Sequence, residues 1–193
     1  VMICGRNEEA VIGNLIDSIK NQHYPSELID VYVCADNCTD NTAIVARDAG
    51  AIVFERFNKE KIGKGYALNF LFKRVFETSG MDHYDGYFVF DADNLLDKRY
   101  VREMNKALNT GLVAVTSYRN SKNYETNWIS AGYALWFLRE AKYLSNARMI
   151  LGGSCAVSGT GFLISKKIIK ENNGWPYYLL TEDIELLGNN YRE

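Results

Sequence analysis

The chain has 193 residues, 47% of them hydrophobic, and its 22 basic and 24 acidic residues leave a formal net charge of −2. Such a length and apolar content suit one domain with a substantial core and exclude a disordered or fibrous chain. The basic residues are scattered rather than massed, which argues against nucleic acid as a partner.

Strand and helix patterns alternate with short connections, so an α/β fold is expected, with a mostly parallel sheet flanked by helices in a single domain over 1–193. Strands are predicted at Val1–Cys4, Asp30–Ala35, Ala51–Glu55, Gly86–Phe90, Leu112–Ser117 and Phe162–Ser165. The first helix, Glu8–Asn21, carries Val11, Ile12, Leu15, Ile16 and Ile19 on one stripe. Thr39–Ala49 follows, closed by Gly50 in the position of a C′ residue. Tyr66–Glu77 turns Ala67, Leu68, Leu71, Val75 and Phe76 inward, and Lys98–Leu108 is the fourth helix. Trp128–Leu144 reads as a long aromatic helix packed on the sheet, the alternative being a helix lying against a membrane or a further segment. Both ends read as cut: Val1-Met-Ile-Cys4 is a strand already under way, and the chain stops as a helix begins after Thr181. The expectation is an excised catalytic segment or an incomplete gene product.

Cysteines stand at 4, 34, 38 and 155 with no Cys-x-x-Cys pair and only two histidines beside them, so a zinc site is not expected. Cys4 and Cys34 read as buried, reduced thiols, which fits a cytoplasmic setting. No signal peptide is visible, and no uncharged apolar run approaches the ~20 residues of a membrane helix.

Chemistry concentrates where strands end. Asp91-Ala92-Asp93 follows the apolar run Tyr87–Phe90. Two carboxylates two positions apart at a strand's carboxyl end suit Mg²⁺ or Mn²⁺ bridging a diphosphate, and an acidic turn capping the next helix is the plainer alternative. In Cys4-Gly-Arg-Asn-Glu-Glu9, Gly5 permits an unusual turn, and Glu8 and Glu9 open a helix where acids favour the dipole. Asp36 either accepts a base N–H or organises a turn, with Thr39 or Asp40 capping the next helix. Lys64 lies between Gly63 and Gly65 at a helix start, placed either for a phosphate or as a solvated turn lysine. The glycine-dense loop Gly152–Phe162 can approach a ligand closely. Trp175-Pro-Tyr-Tyr178 either borders an acceptor or packs in the core. Thr181-Glu-Asp183 reads as an N-cap with two first-turn acids.

In order and spacing these stretches resemble glycosyltransferase family 2, in particular its membrane-bound branch that includes polysaccharide synthases. The matching residues are Arg6–Ile12, Ala35–Thr42, Gly63–Asn69, Phe90–Asp93, Ser158–Phe162 and Thr181–Asp183. The resemblance implies a GT-A (Rossmann-like) fold and inverting transfer of a sugar from a UDP-sugar to a hydroxyl of a glycan, polysaccharide or lipid-linked acceptor. It implies that Asp36 binds uracil, with Cys4, Gly5, Arg6 and Glu8 beside the nucleoside and Lys64 near the ribose or phosphates. It further implies that Asp91 and Ala92 contact the nucleotide, that Asp93 with Asp91 holds Mg²⁺ or Mn²⁺, and that Asp183 is the general base supported by Glu182. The longer protein would then lie at the cytoplasmic face of a membrane. One departure is Ala35, where the family often has a second Asp, and the Gln-x-x-Arg-Trp element of processive members would fall beyond Glu193. A nucleotidyltransferase or a catalytically inactive nucleotide-sugar-binding module is the alternative.

Overall fold

Alternation along buried strands decides which face of a sheet each side chain covers, and here both faces are apolar. A computed structural model describes residues 1–122, 124–153, 155, 157 and 159–178. Its strands are β1 (Met2–Gly5), β2 (Tyr32–Asp36), β3 (Ile52–Arg56), β4 (Gly86–Asp91), β5 (Ala114–Thr116) and β6 (Phe162–Ser165). Its helices are α1 (Ile12–Lys20), α2 (Thr42–Asp48), α3 (Lys64–Ser79), α4 (Tyr100–Leu108), α5 (Trp128–Arg139), α6 (Asn146–Ile150) and α7 (Lys166–Glu171). All six predicted strands are present, with ends that differ from the predicted ones by at most two residues.

The sheet order is β3-β2-β1-β4-β6-β5. Strands β1 to β4 pair in parallel, and β6 runs antiparallel to both β4 and β5. The chain builds outward from β1 to β3, then crosses back through α3 to lay β4 on the other side of β1. That crossing needs length, and the 16 residues of α3 span roughly 24 Å. The reversal leaves a crevice between the carboxyl ends of β1 and β4, where Cys4 lies beside Asp91. Open α/β sheets bind ligands at such a point.

On one face Met2, Cys34, Tyr87 and Val89 pack under Leu68, Leu71, Phe72 and Val75 of α3. On the other, Ile3, Val33 and Phe90 pack under Ile12, Leu15, Ile16 and Ile19 of α1. Each fully buried side chain of this kind contributes about 1.5–3 kcal/mol. Trp175 and Tyr177 belong to the first core, with Trp175 stacked parallel to Phe72 at 5.9 Å. These two residues therefore pack in the core rather than border an acceptor; of this aromatic group Tyr178 is exposed and stacks on Tyr66 at 4.6 Å. Gly65 makes this docking possible, because a Cβ there would lie 2.1 Å from the Tyr177 carbonyl oxygen.

Two expectations need correction. Helix α1 begins at Ile12, with no acid in its first turn, so Glu8 and Glu9 do not serve its dipole. Glu9 instead reaches the start of α2, where its Oε2 accepts from the Asn41 amide at 2.9 Å. The aromatic helix is not core either. Over α5, a π-helical turn at Glu140–Ser145 and α6, no side chain is buried, and Trp128 is 83% and Trp136 58% exposed. Its apolar residues encircle the axis instead of forming a stripe, so no single face can be buried against a sheet whose faces are already covered. Among the described residues no helix is long and apolar enough to cross a membrane.

Candidate functional site

The floor of the crevice is made of small residues. Strand β1 ends at Gly5, and a Cβ there would meet Ala92 at 3.4 Å and the Glu8 side chain at 3.3 Å. Strand β4 ends at Asp91, so Asp93 does not share its strand alternation; a turn closed by the Asn94 amide on the Asp91 carbonyl at 3.2 Å carries Asp93 round to the surface. Ala92 between them is buried and Asp93 is exposed.

Around this floor the carboxylates are held by specific partners. Lys64, at the first position of α3, donates from Nζ to Asp91 Oδ1 at 2.5 Å and to the Gly159 carbonyl. Thr160 Oγ1 accepts from the Asp91 amide at 2.7 Å and donates to Asn94 Oδ1 at 2.6 Å, and Asn94 donates to Asp93 Oδ1 at 3.0 Å. Gly159 and Thr160 of the glycine-dense stretch thus lie against the Asp91 turn. Lys122 reaches in from the segment after β5 and donates to the Asp93 carbonyl at 2.8 Å.

Glu8 stands beside the turn. Burial first, then the charges of Asp93, Asp40 and Asp91, push its carboxyl above the usual range. Three carboxylates facing one space, with a lysine on one of them, form a site whose charge a cation or a cationic ligand would relieve. Among the described residues no group of three or more His, Cys, Asp or Glu is placed to hold a metal ion.

At the far side of β1, Asp36 ends β2 and is 7% exposed. Its Oδ1 takes both an Arg56 N–H at 2.5 Å and the Asn37 side-chain amide at 3.1 Å. The N-cap position of α2 falls to Asn41, whose side chain makes no capping bond, and not to Thr39 or Asp40; Asp40, one residue earlier, accepts at Oδ1 from the Thr42 amide at 3.0 Å and the Thr42 hydroxyl at 2.6 Å. Thr39 is tied to Asn7, whose φ of 60° is left-handed. Cys34 is buried and Cys4 half-buried; burial, then the neighbouring Cys34 thiol, raise the Cys4 thiol well above its ordinary value, so it stays protonated and inert.

The structure therefore brings Cys4, Gly5, Glu8, Lys64, Asp91, Ala92 and Asp93 to one crevice, with Asp36 at the end of the adjacent strand. Arg6 is exposed at its rim. Glu182 and Asp183 lie outside the described residues. Thr160, Asn94 and Arg56 were not anticipated, and for Arg56 the one available signal was a basic residue ending a strand opposite Asp36.

A family profile described as glycosyltransferase like family 2 matches residues 1–189. The beta-monoglucosyldiacylglycerol synthase of Synechocystis sp. is 26% identical over 201 residues, an alignment that takes in 96% of this chain and 38% of that protein. The chain therefore spans well under half the length of this relative. Among solved structures, Staphylococcus aureus TarS 1–349 in complex with UDP superposes with a TM-score of 0.65 at 15% identity, covering 96% of this chain and 52% of the other. Glucosyl-3-phosphoglycerate synthase from Mycobacterium tuberculosis, in complex with Mn²⁺, UDP and phosphoglyceric acid, superposes with a TM-score of 0.60 at 23% identity, covering 98% and 62%. Sheet order, crossover and these likenesses agree on a GT-A fold, and the chain belongs to glycosyltransferase family 2.

Proposed function

We propose that this chain is the donor-binding and catalytic part of a glycosyltransferase that moves a sugar from a UDP-sugar to an acceptor hydroxyl, with inversion at the anomeric carbon. The observation that carries this reading is the convergence of Asp36, Glu8, Lys64, Asp91 and Asp93 along the carboxyl ends of three adjacent strands. Their order along the crevice matches the order of parts in a nucleotide-sugar. The Asp36 carboxylate suits a base N–H, since an ionised carboxylate only accepts. Lys64, at a helix start, suits a diphosphate, because its ammonium and the free N–H groups of the first turn both favour anions.

Asp93 and Asp91 suit Mg²⁺ or Mn²⁺. Mg²⁺ is commonly held by one or two carboxylates together with substrate phosphates, not by a cage of protein ligands, so the donor set fits a cation that arrives with its diphosphate. A cation held there would supply charge neutralisation on the departing diphosphate. Lys64, at the helix start, would contact the phosphates, and Thr160 would keep the Asp91 backbone in register. Asp183 is the proposed base: it takes the proton as the acceptor oxygen bonds to the anomeric carbon and the bond to UDP breaks.

For the acceptor we favour a membrane lipid hydroxyl. Helix α5 and its continuation expose Trp128, Tyr133, Trp136 and Tyr143 among Arg139 and Lys142, a composition suited to a lipid–water interface. A cleft of about 250 Å³ between this helix and the end of β5 is lined by Ser117, Arg119, Phe137, Glu140 and Met149, offering both polar and apolar contacts. The name of the cyanobacterial relative points the same way. The longer protein would then work at the cytoplasmic face of a membrane.

Calorimetric titration with UDP, with and without Mn²⁺, tests the donor half of this reading. Binding that requires the metal and is lost in Asp93→Ala is the expected result. Equal binding of UDP without metal would remove the cation from the mechanism, and no binding by the folded chain would overturn the donor site itself.

A further inference from the structure

Asp36 and Arg56 are register partners on the parallel strands β2 and β3, so their side chains leave the same face of the sheet side by side. Both are buried, at 7% exposure each. A buried pair of this kind contributes little to stability once desolvation is counted, yet losing one partner strands the other's charge. Arg56 does more than neutralise. One nitrogen donates to Asp36 Oδ1 and the other to the Lys61 carbonyl, each at 2.5 Å.

The second contact joins Asp36 to the segment that leads into α3. Asn58 Oδ1 accepts from the amides of Glu60 at 3.0 Å and Lys61 at 2.8 Å. Asn58 and Asn37 exchange two further bonds: the Asn58 amide donates to Asn37 Oδ1 at 2.8 Å, and Asn37 Nδ2 donates to the Asn58 carbonyl at 3.0 Å. The Asn37 amide adds a bond to the Arg56 carbonyl at 2.7 Å, and this set holds Asn37 at a left-handed φ of 53°. Three residues past Lys61 stands Lys64.

We propose that Arg56 is a positioning residue for the donor: its fork sets Asp36 for the nucleobase and, through the Lys61 carbonyl, sets the loop that delivers Lys64 to the diphosphate. The proposal rests on the donor-site reading above. Among the described residues both side-chain hydrogen bonds to Asp36 fall on Oδ1, which leaves Oδ2 to accept a base N–H. Uracil presents such a donor at N3, whereas cytosine presents a lone pair there and is repelled. Arg56 thereby governs base choice without touching the base, and the geometry of a guanidinium, two donors in a fixed plane, is what links the two ends of the site.

The test measures the affinities of UMP, UDP and CDP, with Mn²⁺ present, for the wild-type chain, Arg56→Lys and Arg56→Met, each with a melting curve. Loss of a hydrogen bond to a charged group costs roughly 10–100-fold in binding. In Arg56→Met the preference for UDP over CDP is expected to fall by about that factor. Arg56→Lys keeps a charge beside Asp36 but loses the fork. It should retain most UMP affinity and most base preference, while the gain of UDP over UMP shrinks as Lys64 loosens. A merely structural role would weaken UDP and CDP alike and leave their ratio unchanged. If Arg56→Met does not fold, the Lys variant decides alone through the UDP-to-UMP ratio. Ratios within twofold of wild type in the folded variants overturn the positioning role and leave the donor site standing. Absence of UDP binding by the wild-type chain overturns the donor site, and the role of Arg56 falls with it.

Discussion

The two halves of this molecule place side chains by different means. From β1 to the turn after β4, most candidate residues stand at or just past the end of a buried strand or at the start of a packed helix, and hydrogen bonds from neighbouring elements hold Asp36, Lys64 and Asp91. Asp91 has Thr160 on its amide and Lys64 on its carboxylate. From 118 to 151, the chain leaves the sheet at one edge, and none of its described residues buries a side chain. In the reading proposed above, the first region is a preorganised receptor for one kind of ligand. The second exposes many aromatic side chains, which in the reading proposed above suits an acceptor that comes with a surface. Specific recognition needs rigid ends of strands; contact with a fluid or variable partner needs exposed aromatic area.

The largest expected effects are catalytic. Asp183→Asn should lower transfer by about 10²–10⁴ while UDP affinity stays near wild type, since a base acts on the acceptor hydroxyl and not on the donor. Asp93→Ala should instead remove metal-dependent UDP binding and transfer together. Single-turnover rates set beside UDP titrations check both, and full turnover by Asp183→Asn would send the search for the base elsewhere.

Stability gives the next contrast. Phe72 is buried among Tyr87, Phe76 and Trp175, so Phe72→Ala should cost about 3–5 kcal/mol through lost contacts and a cavity. Trp136 is of larger volume but exposed, and Trp136→Ala should change stability by no more than about 0.5 kcal/mol. Denaturant titration measures both. The same Trp136→Ala, combined with Trp128→Ala, should leave UDP affinity unchanged yet reduce pelleting with lipid vesicles. Unchanged pelleting would show that the exposed helix does not meet a bilayer.

What the sequence made legible follows the same division. Strands β1, β2 and β4 announce themselves as apolar runs ending in Gly5, Asp36 and Asp91, and the ends of such runs are where a parallel sheet presents ligands. Gly65 could be read as a point of close approach, but its partner, the Tyr177 carbonyl, is more than a hundred residues away and invisible from local pattern. The Arg56–Asp36 pair was hidden for a related reason: it depends on the register of β2 against β3, which no local pattern encodes. The aromatic helix misled because apolar content was weighed above periodicity. Its Trp, Tyr and Leu positions encircle the axis, and a helix with no stripe has no face to dock.

The smallest expected effect concerns Tyr100, the residue through which α4 grips the loop above Asp91. Its hydroxyl donates to the Gly161 carbonyl at 2.8 Å, next to Thr160. Burial pushes its pKa up from 10.0 to about 12. The folded state therefore holds this proton more tightly than the unfolded chain does. The corresponding stability is fully present below pH 10 and is lost as pH rises through about 12. Tyr100→Phe removes the titrating group and one hydrogen bond, so it should cost about 1 kcal/mol near neutrality and flatten the alkaline limb of the stability curve. Denaturant midpoints at pH 7, 10 and 11 measure this. Phe at this position also frees the Gly161 carbonyl and slackens the loop holding Asp91, so a modest loss of UDP affinity should accompany the stability change. An alkaline limb identical in the two proteins would mean that the hydroxyl already reaches solvent and that Thr160, Lys64 and the Gly161 amide suffice to hold the segment above Asp91.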